Sequence, residues 1–124
     1  MAKILLIDDD EELLNVLEDF LIMDGHEIVT ADDGRKGINL LEASEAFDLV
    51  ITDIIMPGQD GIGVLTWLLK RSHRPKTIVI TGGSPGIDQN LLLATCKCLR
   101  ADKVLVKPVE FETLREAICE VMAS

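Results

Sequence analysis

Basic residues are scarce in this chain, which has 12 lysine and arginine residues against 22 aspartate and glutamate residues and a formal net charge of −10. Non-specific binding to nucleic acids depends on lysine and arginine side chains that neutralise phosphates. A chain with this excess of acids is therefore not expected to bind nucleic acid directly. The same charge favours a monomer that stays away from anionic membranes.

Long apolar segments and paired cysteines are also lacking. No apolar run approaches the roughly 20 residues that a helix needs to span a membrane, and the four apolar residues after Lys3 are too few for a secretory signal. The three cysteines, Cys96, Cys98 and Cys119, contain no C-x-x-C pair. They therefore predict reduced thiols and argue against a four-ligand zinc site. We expect a cytoplasmic protein that does not associate with membranes.

The chain does contain a regular alternation of short apolar strands and helical patterns. Strands are predicted at residues 4–7, 26–31, 49–52, 78–80 and 104–106, and helices at residues 11–25, 34–46, 60–71, 84–99 and 110–122. Strands made almost entirely of isoleucine, leucine and valine are typical of a parallel sheet with helices on both faces. No linker or low-complexity segment interrupts the pattern. The sequence therefore predicts one α/β domain over residues 1–124, a doubly wound (βα)5 three-layer sandwich.

Four of the predicted strands run directly into polar residues. These residues are Asp8, Asp9, Asp10, Asp53, Thr81 and Lys107. In an open parallel sheet the carboxyl ends of the strands share one edge, and ligands bind at that edge. We therefore predict that side chains about a hundred residues apart in the sequence converge there.

The acids Asp8, Asp9 and Asp53 predict a cation site at this edge. Two like charges 4 Å apart repel by about 4 kcal/mol at an effective dielectric constant of about 20, so protons or a cation must relieve the cluster. Carboxylates and water suit a hard octahedral ion, which favours Mg²⁺, with Mn²⁺ as a substitute. Lys107 offers a fixed positive charge to a phosphoryl group. Asp10 is expected to act instead as the N-cap of the first helix.

The whole chain resembles the receiver domains of two-component response regulators. The resemblance rests on Asp8-Asp9, Asp53, Thr81 and Lys107-Pro108, which follow one another in this order. Residues 4–12 and 53–61 carry the most specific part of the resemblance. The resemblance implies a flavodoxin-like fold with a five-stranded parallel sheet of order 2-1-3-4-5. It also implies a cis peptide bond before Pro108.

The resemblance further implies a role for each residue at the strand ends. Asp53 would be the phosphoacceptor and would take a phosphoryl group from a histidine kinase or a histidine phosphotransfer protein. Asp9, Asp53 and the main-chain carbonyl of Ile55 would bind Mg²⁺ directly, and Asp8 would act mainly through a bound water. The phosphoryl oxygens would be contacted by Thr81 and Lys107.

A receiver domain would work as a switch and not as a turnover enzyme. By resemblance, phosphorylation would shift the surface of about residues 87–122 and so control an unknown output protein or domain, in a monomer or a weak phosphorylation-dependent dimer. Val104 departs from the pattern, because many receivers have tyrosine or phenylalanine there and couple its rotation to the threonine. We hypothesise that Thr81 signals here by shifting the loop of residues 82–86 and the helix after it. Phe111 is expected to pack in the core.

Two alternatives use the same residues differently. Asp8-Asp9-Asp10 also satisfies the Asp-x-Asp motif of haloacid-dehalogenase-like phosphatases, in which Asp8 would be the nucleophile. Those enzymes expect threonine or valine where Glu12 stands. A flavodoxin-type flavin protein would bind phosphate after the first strand, where the three acids would repel it.

Overall fold

The computed structural model describes residues 2–44, 46–54, 61–82 and 88–123, and within them strands and helices alternate along the chain. In chain order the elements are β1 (Lys3–Ile7), α1 (Glu11–Met23), β2 (Glu27–Ala31), α2 (Gly34–Ala43), β3 (Leu49–Asp53), α3 (Gly61–Leu69), β4 (Lys76–Thr81), α4 (Gln89–Cys98), β5 (Lys103–Val106) and α5 (Phe111–Ala123). All strand pairs are parallel and the sheet has the order β2-β1-β3-β4-β5. The predicted fold and strand order are confirmed.

The core lies on both faces of the sheet, because successive residues of a strand point to opposite sides. In β1, Leu6 packs with α1 and α5 on one face, whereas Leu5 and Ile7 pack with α2 and α3 on the other. A third cluster joins Val79 of β4 to the buried residues of α4. The three central strands are almost completely buried. This burial explains why their sequences are apolar without alternation.

Helix boundaries differ from the sequence prediction where a cap was not recognised. Asp10 caps α1 as expected and accepts a hydrogen bond from the Leu13 amide at 3.2 Å. The fourth helix begins at Gln89, later than predicted, because the Asp88 carboxylate caps it by accepting from the Asn90 amide at 2.9 Å. Residues 83–87, where this helix was predicted to open, lie outside the described residues. The second helix ends at Ala43, before the predicted residue 46.

The prediction for Phe111 was wrong. Its side chain is 44% exposed and stacks on Phe20 of α1 with ring centroids 4.4 Å apart. Val109, just before α5, packs against the core instead. The peptide bond between Lys107 and Pro108 is cis, as the resemblance implied. No helix among the described residues has the length and apolar character needed to cross a membrane.

Two helices end in the same hydrogen-bonded motif with different residues in the left-handed position. After α1, Gly25 has a φ of +93°, and the next amide donates to the carbonyl of Leu21 at 3.1 Å. After α4, Arg100 has a φ of 63°, and the next amide donates to the carbonyl of Cys96 at 3.0 Å. Glycine adopts this conformation without the steric penalty that a Cβ atom brings. Arg100 therefore carries backbone strain that Gly25 avoids.

This difference predicts opposite effects for two substitutions. Arg100→Gly should raise the free energy of unfolding by about 0.5–1 kcal/mol. Removing the Cβ atom from a left-handed residue relieves about 1–2 kcal/mol of strain, and the greater conformational freedom of glycine in the unfolded chain offsets part of this gain. Gly25→Ala should lower the free energy of unfolding by about 1 kcal/mol, although no atom lies within 4 Å of the added Cβ. Urea denaturation of both variants measures the changes. If both substitutions changed the free energy of unfolding in the same direction, the proposed backbone strain at Arg100 would be contradicted.

Candidate functional site

The parallel register brings the strand-end residues to one edge of the sheet. Ile7 of β1 lies opposite Thr52 of β3, so the residues that follow them, Asp8 and Asp53, are neighbours across the two strands. On the other side of β3, the backbone amide of Lys107 donates to the carbonyl of Thr81 at 2.8 Å and extends the pairing of β4 with β5. The predicted convergence is therefore confirmed for these residues.

Three carboxylates form a compact cluster at this edge. Each of Asp8, Asp9 and Asp53 offers an oxygen, and these oxygens all lie within 4.8 Å of one another. Asp8 is only 2% exposed and Asp53 6% exposed, whereas Asp9 faces solvent. Oxygen donors at this spacing are the ligands that a hard divalent cation prefers. The cluster is thus a candidate site for such an ion, with one open side.

Lys107 reaches both buried carboxylates. Its Nζ donates to Asp53 Oδ2 at 2.9 Å and lies 3.3 Å from Asp8 Oδ2. Burial lowers the pKa of Lys107, but the hydrogen bond and the charges of the two carboxylates outweigh it, so the net shift is upward. The ammonium group is therefore firmly protonated and bridges the two acids.

The Asp8 carboxyl group lies in an environment that disfavours its charged form. Burial raises the pKa of its carboxyl group, and the charge of Asp53 raises it further. The backbone amide of Asp10, which donates to Asp8 Oδ1 at 2.9 Å, and the ammonium of Lys107 act in the opposite direction without cancelling the shift. The folded site therefore holds negative charge at a cost, which an added cation would reduce.

The remaining predicted site residues are placed less completely. Thr81 is fully buried at the end of β4, and its hydroxyl donates to the carbonyl of Gly82 at 3.3 Å. Among the described residues the Thr81 hydroxyl has no hydrogen bond to the carboxylates or to the ammonium of Lys107. Ile55, whose carbonyl was expected to bind the metal, lies outside the described residues. His26 lies at the opposite edge of the sheet, where its Nδ1 accepts from the Ala2 amide at 3.1 Å.

Gly61 supports the site in a way that the sequence prediction missed. It is the first residue of α3, and its amide donates to the carbonyl of Ile54 at 3.0 Å. A Cβ atom on Gly61 would lie 2.2 Å from the backbone oxygen of Asp53 and 2.8 Å from the Cα of Ile54. The absent side chain therefore lets α3 pack directly against the backbone that carries Asp53. The glycine is visible in the sequence, but its neighbour is not.

Known proteins with related sequences point to one family. The family model described as the response regulator receiver domain matches residues 4–119. The transcriptional regulatory protein CpxR of Escherichia coli (strain K12) is 37% identical over 108 residues, which cover 87% of this chain and 44% of that protein. The response regulator protein FleR of Pseudomonas aeruginosa is 36% identical over 120 residues, or 94% of this chain and 24% of FleR. The chain thus spans less than half the length of these two relatives.

Solved structures agree with the sequence comparison. A response regulator receiver domain protein from Clostridium thermocellum superposes with a TM-score of 0.86 at 32% identity and covers 99% of this chain and 95% of its own. A CheY-like receiver domain protein from Methanospirillum hungatei gives a TM-score of 0.89 at 27% identity, with 99% and 94% covered. These findings leave the phosphatase alternative, with Asp8 as the nucleophile, without support. The chain belongs to the response regulator receiver domain family and is a receiver domain of the two-component type.

Proposed function

We propose that Asp53 accepts a phosphoryl group from a histidine side chain of a histidine kinase or a phosphotransfer protein, and that the resulting aspartyl phosphate switches the surface of the domain. The observation that carries this proposal is the position of the Asp53 carboxylate. It lies at the open edge of the sheet, 2.9 Å from the ammonium of Lys107 and within the carboxylate cluster. Both carboxylate oxygens of Asp8 are engaged, Oδ1 by the backbone amide of Asp10 and Oδ2 by Lys107.

The proposed transfer is a displacement at phosphorus. A carboxylate oxygen of Asp53 forms the new P–O bond while the P–N bond to the donor histidine breaks, and the imidazole nitrogen keeps the bonding electrons. Such transfers need positioning and neutralisation of charge more than covalent chemistry. Lys107 already contacts the acceptor carboxylate, so it can follow the charge onto the phosphoryl oxygens. The Thr81 hydroxyl, at the neighbouring strand end, would turn from Gly82 to donate to one of these oxygens.

The donor set fits a divalent cation. Asp9 and Asp53 would bind Mg²⁺, or Mn²⁺ in its place, together with the carbonyl of Ile55, and Asp8 would hold a bound water. When bound, the ion supplies positive charge between the acids and the incoming phosphoryl group. The upward pKa shift of Asp8, caused first by burial and further by the charge of Asp53, supports this assignment, because a nearby cation would favour the ionised carboxylate.

A path from the acceptor to the predicted output surface runs through the core. Ile54, which follows Asp53, is completely buried and packs in one cluster with Leu92 and Cys96 of α4. Val104 of β5 packs against the same cluster. Movement at Asp53 would therefore reach α4 and β5 through this cluster. Most of the loop through which Thr81 was expected to signal, residues 83–86, lies outside the described residues. The surface above this cluster already exposes Leu91, at 67%, which a partner could cover.

In this proposal residues 1–124 form one switching domain in the cytoplasm without turnover activity of its own. It would work as a monomer or a weak phosphorylation-dependent dimer. Its partners would be a phosphohistidine donor and an output protein or domain, with no direct contact to nucleic acid or membrane.

Labelling with acetyl phosphate and Mg²⁺ tests the proposal directly. We expect one phosphoryl group per chain, located by mass spectrometry in the peptide that contains Asp53, and no labelling after Mg²⁺ is removed by a chelator. A label in the peptide that contains Asp8 would overturn the assignment. Unlabelled protein in the presence of Mg²⁺ would argue against a phosphoacceptor of any kind.

The close packing at Gly61 gives a second prediction about the site. Gly61→Ala should lower the free energy of unfolding by about 2–3 kcal/mol, because the new methyl group meets rigid backbone and not a movable side chain. It should also slow labelling, since the backbone that must shift belongs to Asp53. Denaturant titration and the labelling rate measure the two effects.

Gly37→Ala provides the matched control. Gly37 is also a buried helical glycine, but its added Cβ would meet the end of the Ile7 side chain. This variant should lose some stability and keep the wild-type labelling rate. Equal labelling rates for the two variants would contradict the proposed support of Asp53 by Gly61.

A further inference from the structure

Charge is distributed very unevenly along this acidic chain. Residues 61–87 contain four of the 12 basic residues and none of the 22 acidic residues. The four basic residues, together with one histidine, all lie within residues 70–76. We call the surface formed by Lys70, Arg71, His73, Arg74 and Lys76 the basic edge. It connects the end of α3 to the start of β4.

Among the described residues, the basic edge lacks the ion pairs that neutralise basic residues elsewhere in the molecule. Five basic residues elsewhere pair with nearby acids, namely Lys3, Lys36, Lys103, Lys107 and Arg115. By contrast, none of the four lysine and arginine residues of the basic edge forms an ion pair with an acidic residue in the described ranges. In a protein with a net charge of −10, these four positive charges are therefore not engaged by ion pairs with any acid in the described part of the chain.

Two of the guanidinium groups are held in place. Arg71 stacks on the ring of Trp67 with its Cζ 3.8 Å from the ring centroid. Arg74 donates to the carbonyl of Arg100 at 3.1 Å. A stacked guanidinium keeps its N–H donors available at its edge. Because these two arginine side chains are already held in place, they would lose less conformational entropy when an anion binds.

A small cavity lies beside these charges. Its volume is about 220 Å³, and its lining includes Trp67, Arg71, His73 and the partly apolar wall formed by Phe47. Glu42 of α2 is an acidic residue in this lining. The cavity is large enough for one side chain of a partner but not for an extended ligand. It therefore suggests a peptide with an apolar side chain next to its acidic ones.

The helix dipole does not account for the basic edge. Basic residues near a helix C-terminus are favourable, but the effect fades within the last turn. Lys70 and Arg71 directly follow the end of α3 at Leu69, whereas Arg74 and Lys76 lie beyond that range. The cluster is thus larger than the stabilisation of α3 requires.

The basic edge lies at the opposite end of the sheet from the proposed phosphoacceptor. Lys76 is the first residue of β4, and Thr81 at its other end belongs to the carboxylate site. A strand of six residues spans about 17–20 Å. A partner at the basic edge would therefore leave Asp53 accessible to a phosphodonor.

We propose that the basic edge binds a short acidic segment of a partner protein. Charge complementarity supports an anionic partner, and the confined cavity supports a peptide. A long nucleic acid or a flat anionic membrane would also meet the rest of the molecule, whose sequence contains all 22 acids and only eight of the basic residues. The segment would dock in either phosphorylation state. The proposal is independent of the role of Asp53.

Trp67, the only tryptophan of the chain, provides the readout. The unphosphorylated protein is titrated with a short synthetic polyglutamate peptide that has one central leucine, and Trp67 fluorescence and backbone amide shifts are followed. We expect saturable fluorescence changes, amide shifts concentrated at residues 67–76, and weaker binding at higher salt. The same peptide with glutamine in place of glutamate should not bind.

Paired variants separate a local site from a general charge effect. Lys70→Gln with Lys76→Gln should weaken binding about tenfold, since two partly exposed charge pairs together contribute about 1.4 kcal/mol. Arg35→Gln with Lys97→Gln changes the net charge equally at exposed sites elsewhere and should have less than about a twofold effect. Equal effects of the two pairs, shifts outside the basic edge, or absence of binding at low salt would overturn the proposal. Tighter binding of a DNA oligonucleotide or of anionic lipid vesicles would also overturn it.

Discussion

Asp53→Asn is expected to abolish stable phosphorylation of the chain, both by acetyl phosphate and by a phosphohistidine donor. The amide oxygen that replaces the carboxylate carries no full charge, and it cannot form the acyl phosphate. The fold should be retained, because an amide oxygen can still accept the hydrogen bond from Lys107 that the carboxylate accepts at 2.9 Å. Mass spectrometry after incubation with Mg²⁺ and phosphodonor measures the loss.

Asp10→Asn is the matched control for this loss. Asp10 also follows a strand end, but it is exposed and caps α1. Asparagine caps helices about as well as aspartate, so this variant should keep both its stability and its labelling. Undiminished labelling of the Asp53 variant would refute the proposed acceptor. Loss of labelling in both variants would show that removal of any nearby charge is sufficient.

Lys107→Met should destabilise the domain because it leaves two buried carboxylates without their shared cation. Removing one partner of a buried ion pair costs about 3–5 kcal/mol. The Lys107 side chain is 26% exposed, so solvent screening reduces the expected loss to about 2 kcal/mol. Methionine keeps the apolar stem beside Gly82 and removes only the charge. Urea denaturation near neutral pH measures the change.

The sign of the pH dependence follows from Asp8. The pKa of its carboxyl group is raised in the folded protein, so this group contributes stability that is fully present below its ordinary pKa of 3.8 and is lost as the pH rises through the folded value. Without Lys107 the pKa of Asp8 should rise further. The difference in the free energy of unfolding between wild type and Lys107→Met should therefore be smaller in mildly acidic solution than at neutral pH. At neutral pH, Mg²⁺ should also reduce this difference in stability, because it replaces the missing positive charge.

A double-mutant cycle distinguishes electrostatics from packing. Asp8→Asn in the Lys107→Met background should recover most of the lost stability, because only one buried carboxylate remains. If the losses of Lys107→Met and Asp8→Asn were simply additive, the loss would instead come from packing of the lysine stem.

The composition of the strands explains why the fold could be predicted. Short runs such as Ile4-Leu5-Leu6-Ile7, bounded by polar residues, favour strands covered on both faces, and the helical patterns between them favour parallel connections. Once the strands are parallel, their carboxyl ends must share one edge. The meeting of Asp8, Asp53 and Lys107 was therefore predictable from local sequence.

Other features depend on neighbours that local sequence does not reveal. The apolar character of Phe111 suggested burial, but at the start of α5 its side chain is 44% exposed and stacks on Phe20. Asp88 was not recognised as a cap, because the glycine-containing segment before it also resembled a helix start. The strain at Arg100 was equally hidden, since arginine does not signal a left-handed residue.

The sequence by itself determined the parallel α/β architecture, the acidic edge and the family. Periodicity and strand-end residues can be seen in local sequence, and in a parallel sheet every strand end lies at the same edge. Only the tertiary structure decided how much each acid is buried, that Lys107 bridges Asp8 and Asp53, and that α3 packs on the acceptor backbone through Gly61. It also decided that the basic edge lacks ion pairs with described acids. Burial, charge pairing and close approach arise between residues distant in the sequence, and the packed chain alone sets those distances.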